Sequence, residues 1–331
     1  MKILGVETSC DDTASAVIEE KNILSDIVSS SDTLHEKYGG VVPEIACRAH
    51  IECIWPVVQE SLRQANVKIE DIDAVAVTYG PGLAGALLVG VSFAKGLCWA
   101  SKKPLIGINH LEAHLWVCFL TKNPPKIPGI GLVVSGGHTS LVHIKSWKRF
   151  ELIGSTIDDA AGETFDKVAK ILKLGYPGGP KLQEAAKNGK KDAIKFPIAK
   201  LEKKYNFSFS GLKTSVLYYA KNTVKKHISD IAASFQEAVV GAIVKKTIDA
   251  VKQDSVQSLV CGGGVVSNER LRKCLEQETK KIGIPIYFPD VSLCRDNAVM
   301  IAALGMEYFK QGRFSSMDLT AVPDLGIGKG N

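Results

Sequence analysis

Two stretches of the chain share one pattern of apolar and polar positions. KILGVETSCDDTASAVIEE (Lys2–Glu20) runs apolar, polar, apolar, and IGLVVSGGHTSLVHIKS (Ile130–Ser146) does the same. Each predicts a strand, a polar turn and a second strand. Laid side by side, Ser9 faces Ser135, Thr13 faces Thr139 and Ile18 faces Ile144. A second pair of elements repeats as well. AVAVTYGPGLAGALLVGVSFAKGL (Ala74–Leu97) and SLVCGGGVVSNERLRKCLEQ (Ser258–Gln277) both read as a buried strand, a glycine turn and a helix. The pattern therefore predicts an α/β chain made of a duplicated unit, with mixed sheets and a cleft between the halves.

Other elements fill the second half. A helix is expected over about residues 159–174, followed by the loop GYPGGP and a lysine-rich polar excursion over residues 187–204. HISDIAASFQEAVVGAIVKKTIDAVKQ predicts a long amphipathic helix. CRDNAVMIAALGMEYFKQG predicts another, starting near Asp296 and stopping at Gly312. The expected division is 1–123 for the first lobe, 124–299 for the second, and 300–331 for a C-terminal helix and tail packing back on the first.

Composition narrows the class. At 331 residues, 45% hydrophobic and 23% charged, the chain can bury its own core without staples. A net charge of +6 permits an anionic partner without requiring one. The eight cysteines form no C-x-x-C pair, and several sit in apolar runs, so they read as reduced core thiols. The apolar run at the N-terminus is too short for a signal peptide. No stretch is expected to reach membrane-spanning length without charge or turn residues. A cytoplasmic protein is the expectation.

The turns are candidates for chemistry. CGGGVVSNER follows a strand and precedes a helix, where exposed N–H groups favour an anion. VSGGH offers a backbone nest, and ETSCDD offers hydroxyls and carboxylates. Each alone is an ordinary turn, but together, at matching places, they fit a nucleotide held between two lobes. No Walker-type G-x-x-x-x-G-K-[ST] is present. GPGLAG matches G-x-G-x-x-G, but Pro81 removes one N–H and the next acid is Glu112, which argues against a dinucleotide site.

INHLEAHL (Ile108–Leu115) carries two histidines at i, i+4. After the strand PLIGI, Asn109 is a natural N-cap, and Glu112 completes the shape of a capping box. That reading leaves His110 and His114 unexplained. On a helix they share a face, about 5–6 Å apart at Cβ, a bidentate metal grip. A zinc protease would need H-E-x-x-H. Here Glu112 lies about 200° round the helix from His110, so a protease base is excluded. Asp296 is the candidate third ligand, although an N-cap is its plainer reading. Two imidazoles and a carboxylate suit non-haem iron(II) or catalytic zinc.

LGVETSCDDTA, HEKYGGVVPEIACRAH, GPGLAGALLVG, NHLEAH, VSGGHT, STIDDAAGETFDK, YPGGP, FSFSGLKT, CGGGVVSNERLR and CRDNAVMIA run in order along nearly the whole chain. Together they resemble the bacterial TsaD family, the tRNA adenosine(37) threonylcarbamoyltransferases. Asn109 stands where many bacterial members have a further histidine. The resemblance implies the duplicated ASKHA fold of actin, sugar kinases and chaperone ATPases. It implies transfer of threonylcarbamoyl from threonylcarbamoyl-AMP to N6 of adenosine 37, in tRNAs reading codons that begin with A. It implies His110, His114 and Asp296 as metal ligands, holding one divalent metal with Fe(2+) favoured and Zn(2+) the alternative. Val133, Val134, Ser135, Gly136, Gly137, Asp166, Gly179 and Asn268 are implied as contacts to the adenylate. The implied partners are tRNA, a TsaB-like paralogue and a TsaE-like ATPase, with no membrane.

The mixed anhydride needs no covalent nucleophile, and Asp11 in the first turn is the candidate proton acceptor or polar positioner. Two other classes remain open on the residues: an ASKHA kinase acting on a small metabolite, and a non-catalytic nucleotide-binding scaffold. The lysine clusters KSWKR, KNGKK and KLEKK are expected to touch RNA phosphates. The apolar helix over residues 82–100, with Ile45, Ile51, Ile54, Trp55 and Val58 before it, is expected to carry the paralogue, with Pro56 kinking or dividing the earlier helix.

Overall fold

The structure, a computed structural model, describes residues 1–146, 149–222 and 228–329. It divides into two compact units, Met1–Pro124 with Arg295–Asn331, and Pro125–Cys294. The return to unit 1 falls at Arg295, ahead of the break expected at 299/300, so Asp296 belongs to the same unit as the two histidines.

Unit 1 begins β1 (Lys2–Glu7), β2 (Asp12–Glu19), β3 (Asn22–Ser30), α1 (Asp32–Glu36) and α2 (Pro43–Gln64). It continues β4 (Ala74–Gly80), α3 (Ala84–Ser101), β5 (Leu105–Asn109) and α4 (His110–Trp116). Unit 2 holds β6 (Gly129–Val134), β7 (Thr139–Ser146), β8 (Arg149–Ser155), α5 (Ala161–Ile171), α6 (Gly178–Ala186), α7 (Ser210–Asn222), α8 (Ile228–Gln253), β9 (Ser258–Gly262), α9 (Glu269–Lys281) and β10 (Ile286–Tyr287). The last helix, α10 (Ala298–Lys310), is back in unit 1.

The duplication is visible in the hydrogen bonding. The sheets run β3-β2-β1-β4-β5 and, in mirror listing, β8-β7-β6-β9-β10. In each, the first two strands pair antiparallel and the first and fourth pair parallel. Register agrees too: Ile3 opposes Ile18 in unit 1, and Gly129 opposes Ile144 in unit 2.

Alternation along β1 explains how unit 1 covers both faces of its sheet. Leu4 and Val6 pack with Ile54 and Val58 of α2 and with Val91 and Ala94 of α3. Ile3 and Gly5 face α10 instead. A Cβ on Gly5 would lie 2.4 Å from the Ala298 carbonyl, and one on Gly305 would lie 2.5 Å from Ala76 Cβ. Those glycines let α10 sit directly on the strands.

Several expected elements are corrected. Of the two outcomes expected at Pro56, division does not occur: α2 is one helix from Pro43 to Gln64 with Pro56 inside it. Pro56 and Glu52 both face solvent, so the Glu52 carbonyl that loses its partner can bond water. The GYPGGP loop passes into α6 at Gly178. α3 is long and apolar enough to cross a membrane by length and composition, with mean hydropathy 1.4, but it carries Lys95 and three glycines, as expected of every such stretch. Of its glycines, Gly90 is packed so closely that a Cβ would meet Thr8 Oγ1 at 2.3 Å. The inner face of α3 covers the sheet, while Leu88 and Trp99 face outward. In the long helix His227 lies outside the described residues, as do Trp147 and Lys148 of KSWKR.

Candidate metal centre and glycine loops

In unit 1 the parallel strands β1, β4 and β5 end on one side of the sheet, the side where α/β folds place ligands. β5 ends at Asn109, whose side chain accepts from the Leu111 and Glu112 N–H groups and starts α4. His110 and His114 follow on one face, with ring centroids 4.6 Å apart. Asp296 reaches the same spot from the segment before α10. Its Oδ1 lies 3.1 Å from His114 Nε2 and 3.4 Å from His110 Nε2. One ligand atom from each of the three residues falls within 4.8 Å of the others. Asp296 is not the helix cap; Asn297 caps α10 by accepting from the Met300 N–H. Arg295, bonded to Asp32 at 2.9 Å and to Asp12 at 3.3 Å, anchors the other side of Asp296.

Glu7, at the end of β1, is the residue that sequence reasoning missed. It is fully buried, and its Oε2 lies 3.0 Å from His110 Nδ1. The Thr78 hydroxyl donates to the same oxygen at 2.6 Å, and the Ser9 N–H donates to Oε1. An ionised carboxylate only accepts, so Nδ1 carries a hydrogen; in the protonated ring Nε2–H points at Asp296, and losing that proton frees the Nε2 lone pair for a metal. Burial alone would raise both carboxyls and lower His110. The opposite charges outweigh it: Asp296 and Glu7 hold His110 up to about 10, and His110 holds Glu7 below its usual range. Asp296 is well below its usual range despite burial, held there by His110 and His114. A pocket that binds a proton this firmly also favours a divalent cation. Two nitrogens and one oxygen, with a carboxylate behind one imidazole, fit such an ion and leave positions open. Among the described residues His114 Nδ1 is buried without a hydrogen-bond partner, and burial lowers His114 toward the neutral form a metal requires.

Asp11 is not among the three convergent groups. Burial lifts its carboxyl above the usual range, against a bond from Cys10, and Asp296 adds to the lift. Glu112 does not complete the expected capping box. Its carboxylate instead accepts from Tyr308 OH at 3.0 Å and the Gly328 N–H at 2.9 Å, fastening α10 and the following tail to α4.

In unit 2, Ser135–Gly137 follow the carboxyl end of β6, Asn268 lies after β9, and Asp166 and Gly179 lie in α5 and α6. Val133 and Val134 are fully buried strand residues, so only their backbone is available. The turn after them is closed by the Ser135 N–H donating to the His138 carbonyl at 2.8 Å. α5 starts against this turn, with the Gly162 and Glu163 N–H groups donating to the Ser135 and Gly136 carbonyls. Gly136, Gly137 and Gly179 have open space where a Cβ would point. Asp166 Oδ1 accepts from the Gly178 N–H at 2.7 Å. Gly263, at φ +96°, lies against Val134, where a Cβ would meet the carbonyl at 2.4 Å. Asn268 is buried; its Oδ1 caps α9 and its Nδ2 donates to Gln236 at 2.9 Å. Its side chain is therefore already committed within the protein.

Paired sheets of this order, with polar turns at the strand ends, define the ASKHA class. HypF from T. kodakarensis has the same fold, with TM-score 0.66 and 16% identity over 96% of this chain and 49% of that one. The ROK hexokinase from Thermus thermophilus matches with TM-score 0.51 and 16% identity, over 94% and 100% of the two chains. A sequence model described as TsaD, tRNA N6-adenosine threonylcarbamoyltransferase, matches residues 22–303. Proteins of that name from Symbiobacterium thermophilum and Kosmotoga olearia are each 49% identical, over 99% of this chain and 97% and 99% of theirs. The chain belongs to the TsaD family of tRNA N6-adenosine threonylcarbamoyltransferases. It is a transferase acting on tRNA, which sets aside the metabolite kinase and the non-catalytic scaffold.

Proposed function

We propose that this chain transfers threonylcarbamoyl from threonylcarbamoyl-AMP to N6 of adenosine 37, in tRNAs reading codons that begin with A. The convergence of His110, His114 and Asp296 in a chain of this family carries the reading. N6 attacks the carbonyl carbon of the mixed anhydride, the C–O bond to phosphate breaks, and AMP leaves with the electron pair. The proton lost from N6 goes to Asp11, whose raised affinity for protons suits a general base. In unit 2 the turn from Val133 to Gly137, with Asp166, Gly179 and the backbone around Asn268, holds the adenylate. Glycine lets backbone N–H groups approach phosphate there.

His110, His114 and Asp296 would hold one divalent metal, Fe(2+) by preference and Zn(2+) as the alternative. When bound, that ion would polarise the threonylcarbamoyl carbonyl. Glu7 keeps His110 in the tautomer that binds it. Aligning amine and donor accounts for much of the remaining acceleration, up to about 7–11 kcal/mol in favourable cases.

A TsaB-like paralogue docks on α2 and α3, where Ile51, Trp55, Leu88 and Trp99 are exposed, and a TsaE-like ATPase completes the system. Large apolar side chains left exposed on these helices support an interaction surface. Eight free cysteines and a tRNA substrate support a cytoplasmic location. The test is AMP release from synthetic threonylcarbamoyl-AMP with the partners present. Release coupled to modified tRNA supports the reading. Donor consumption with no modified base, in every reconstitution, overturns it.

A further inference from the structure

Residues 187–221 hold nine lysines and two acids, Asp192 and Glu202. Their net +7 exceeds the +6 of the whole chain, so the remaining residues are close to neutral. The positive charge of this protein is therefore a local feature, and it lies on one surface of unit 2.

The fold spreads that charge along a track. The Lys190 N–H donates to Asp230 Oδ1 at 2.8 Å, and the Ile194 N–H donates to Ser234 Oγ at 3.1 Å, near the start of α8. Farther along, Lys246 Nζ donates to the Asn206 carbonyl at 2.6 Å, and Tyr205 OH donates to Gln253 Oε1. Ser234 and Lys246 are about 18 Å apart along a helix that rises 1.5 Å per residue. The segment from 194 to 206 is thus pinned along about 18 Å of the helix, a length that spans several phosphates. Between these pins Lys195, Lys200 and Lys203 are exposed and, among the described residues, form no ion pair.

α7 runs beside this segment. Phe196 is buried and meets Tyr219 edge to face, with centroids 6.1 Å apart, which ties the segment to the helix. Leu212 and Val216 turn into the core. Tyr218 turns outward, 64% exposed, and Lys221 follows it at i+3 on the same face. Lysines alone would read as a solvated face. An aromatic ring left open among unpaired cations is instead the combination that takes a nucleic-acid strand, the cations on phosphates and the ring on a base.

We propose that residues 194–206 and the outward face of α7 form the surface that grips the tRNA strand, with Lys195, Lys200, Lys203 and Lys221 on phosphates and Tyr218 stacked on an unpaired base. This rests on tRNA being the substrate and adds where it is held. The probe is an unmodified tRNA transcript with adenosine at position 37, titrated against the full chain at several salt concentrations. Lys195→Glu, Lys200→Glu and Lys203→Glu combined should weaken binding at least about tenfold and flatten the log–log salt slope by roughly two units. Tyr218→Ala should weaken it about five- to tenfold with the slope unchanged, and Tyr218→Phe should restore the wild-type value. All these side chains are exposed, and unchanged melting curves check that the variants fold. Wild-type affinity and slope in both the lysine and the alanine variants would overturn the surface. Transfer by the wild-type chain with its partners, measured alongside, separates that outcome from a failure of the proposed reaction.

Discussion

The turn after β1 and the turn after β6 occupy equivalent places in two sheets of the same order, yet they are chemically opposite. Unit 1 fills the position with Thr8, Ser9, Cys10 and Asp11, and brackets it with the buried acids Glu7 and Asp12. Unit 2 fills it with Ser135, Gly136 and Gly137, and packs the start of α5 against them. The first arrangement gathers negative charge around two imidazoles. The second removes side chains and leaves open space beside the backbone. Duplication preserved strand order and register, which the cores require, while the turns diverged into an acidic turn beside two imidazoles and a glycine turn with open backbone.

The sharpest way to break this contrast is to put a side chain where unit 2 has none. Gly263→Val places a β-branched residue at φ +96° and against the Val134 carbonyl. It should destabilise unit 2 by several kcal/mol and abolish adenylate binding, as read by calorimetry, while metal content is retained. Glu7→Gln tests the opposite unit. The amide cannot hold His110 as the carboxylate does, so metal affinity should fall about 10–100-fold, measured by competition with a chelator, while adenylate binding persists.

A third test concerns what the acidic turn costs. Burial, only partly offset by Ser30 and Arg295, raises the Asp12 carboxyl to about 7. Between its ordinary value near 4 and that raised value the unfolded chain loses the proton while the folded chain keeps it, so stability falls as pH rises through this window. Asp12→Asn should therefore match wild type near pH 4 and be more stable near pH 8, by up to about 4 kcal/mol. Denaturant titrations at the two pH values measure it, and an equal difference at both contradicts the assignment. The smallest effect is expected at Glu112, which accepts two hydrogen bonds. Glu112→Gln keeps one acceptor and should cost about 1–2 kcal/mol by thermal unfolding, with metal content unchanged.

The parts legible in the sequence were those carried by local pattern. The repeated hairpins, the Asn109 cap and the histidine pair each sit within a few residues, so periodicity and spacing expose them. Glu7 was not legible. Its partner His110 is 103 residues away, and a carboxylate at a strand end looks like the start of any polar turn. Asp296 looked most like a helix cap because Asn297, the true cap, stands beside it. Glu112 satisfied the capping-box pattern, yet its carboxylate goes to Tyr308 and Gly328, contacts made only once α10 is in place. The helix at α3 was legible despite its glycines, but not the contact that needs one of them, the close packing of Gly90 on Thr8.

The central claim is that His110, His114 and Asp296 together bind one divalent metal. Elemental analysis of the full chain, purified under anaerobic conditions beside the His110→Ala/His114→Ala double variant, tests it most directly. The account predicts about one iron or zinc per wild-type chain and almost none in the variant, with circular dichroism unchanged. Equal metal content in a folded double variant would contradict it.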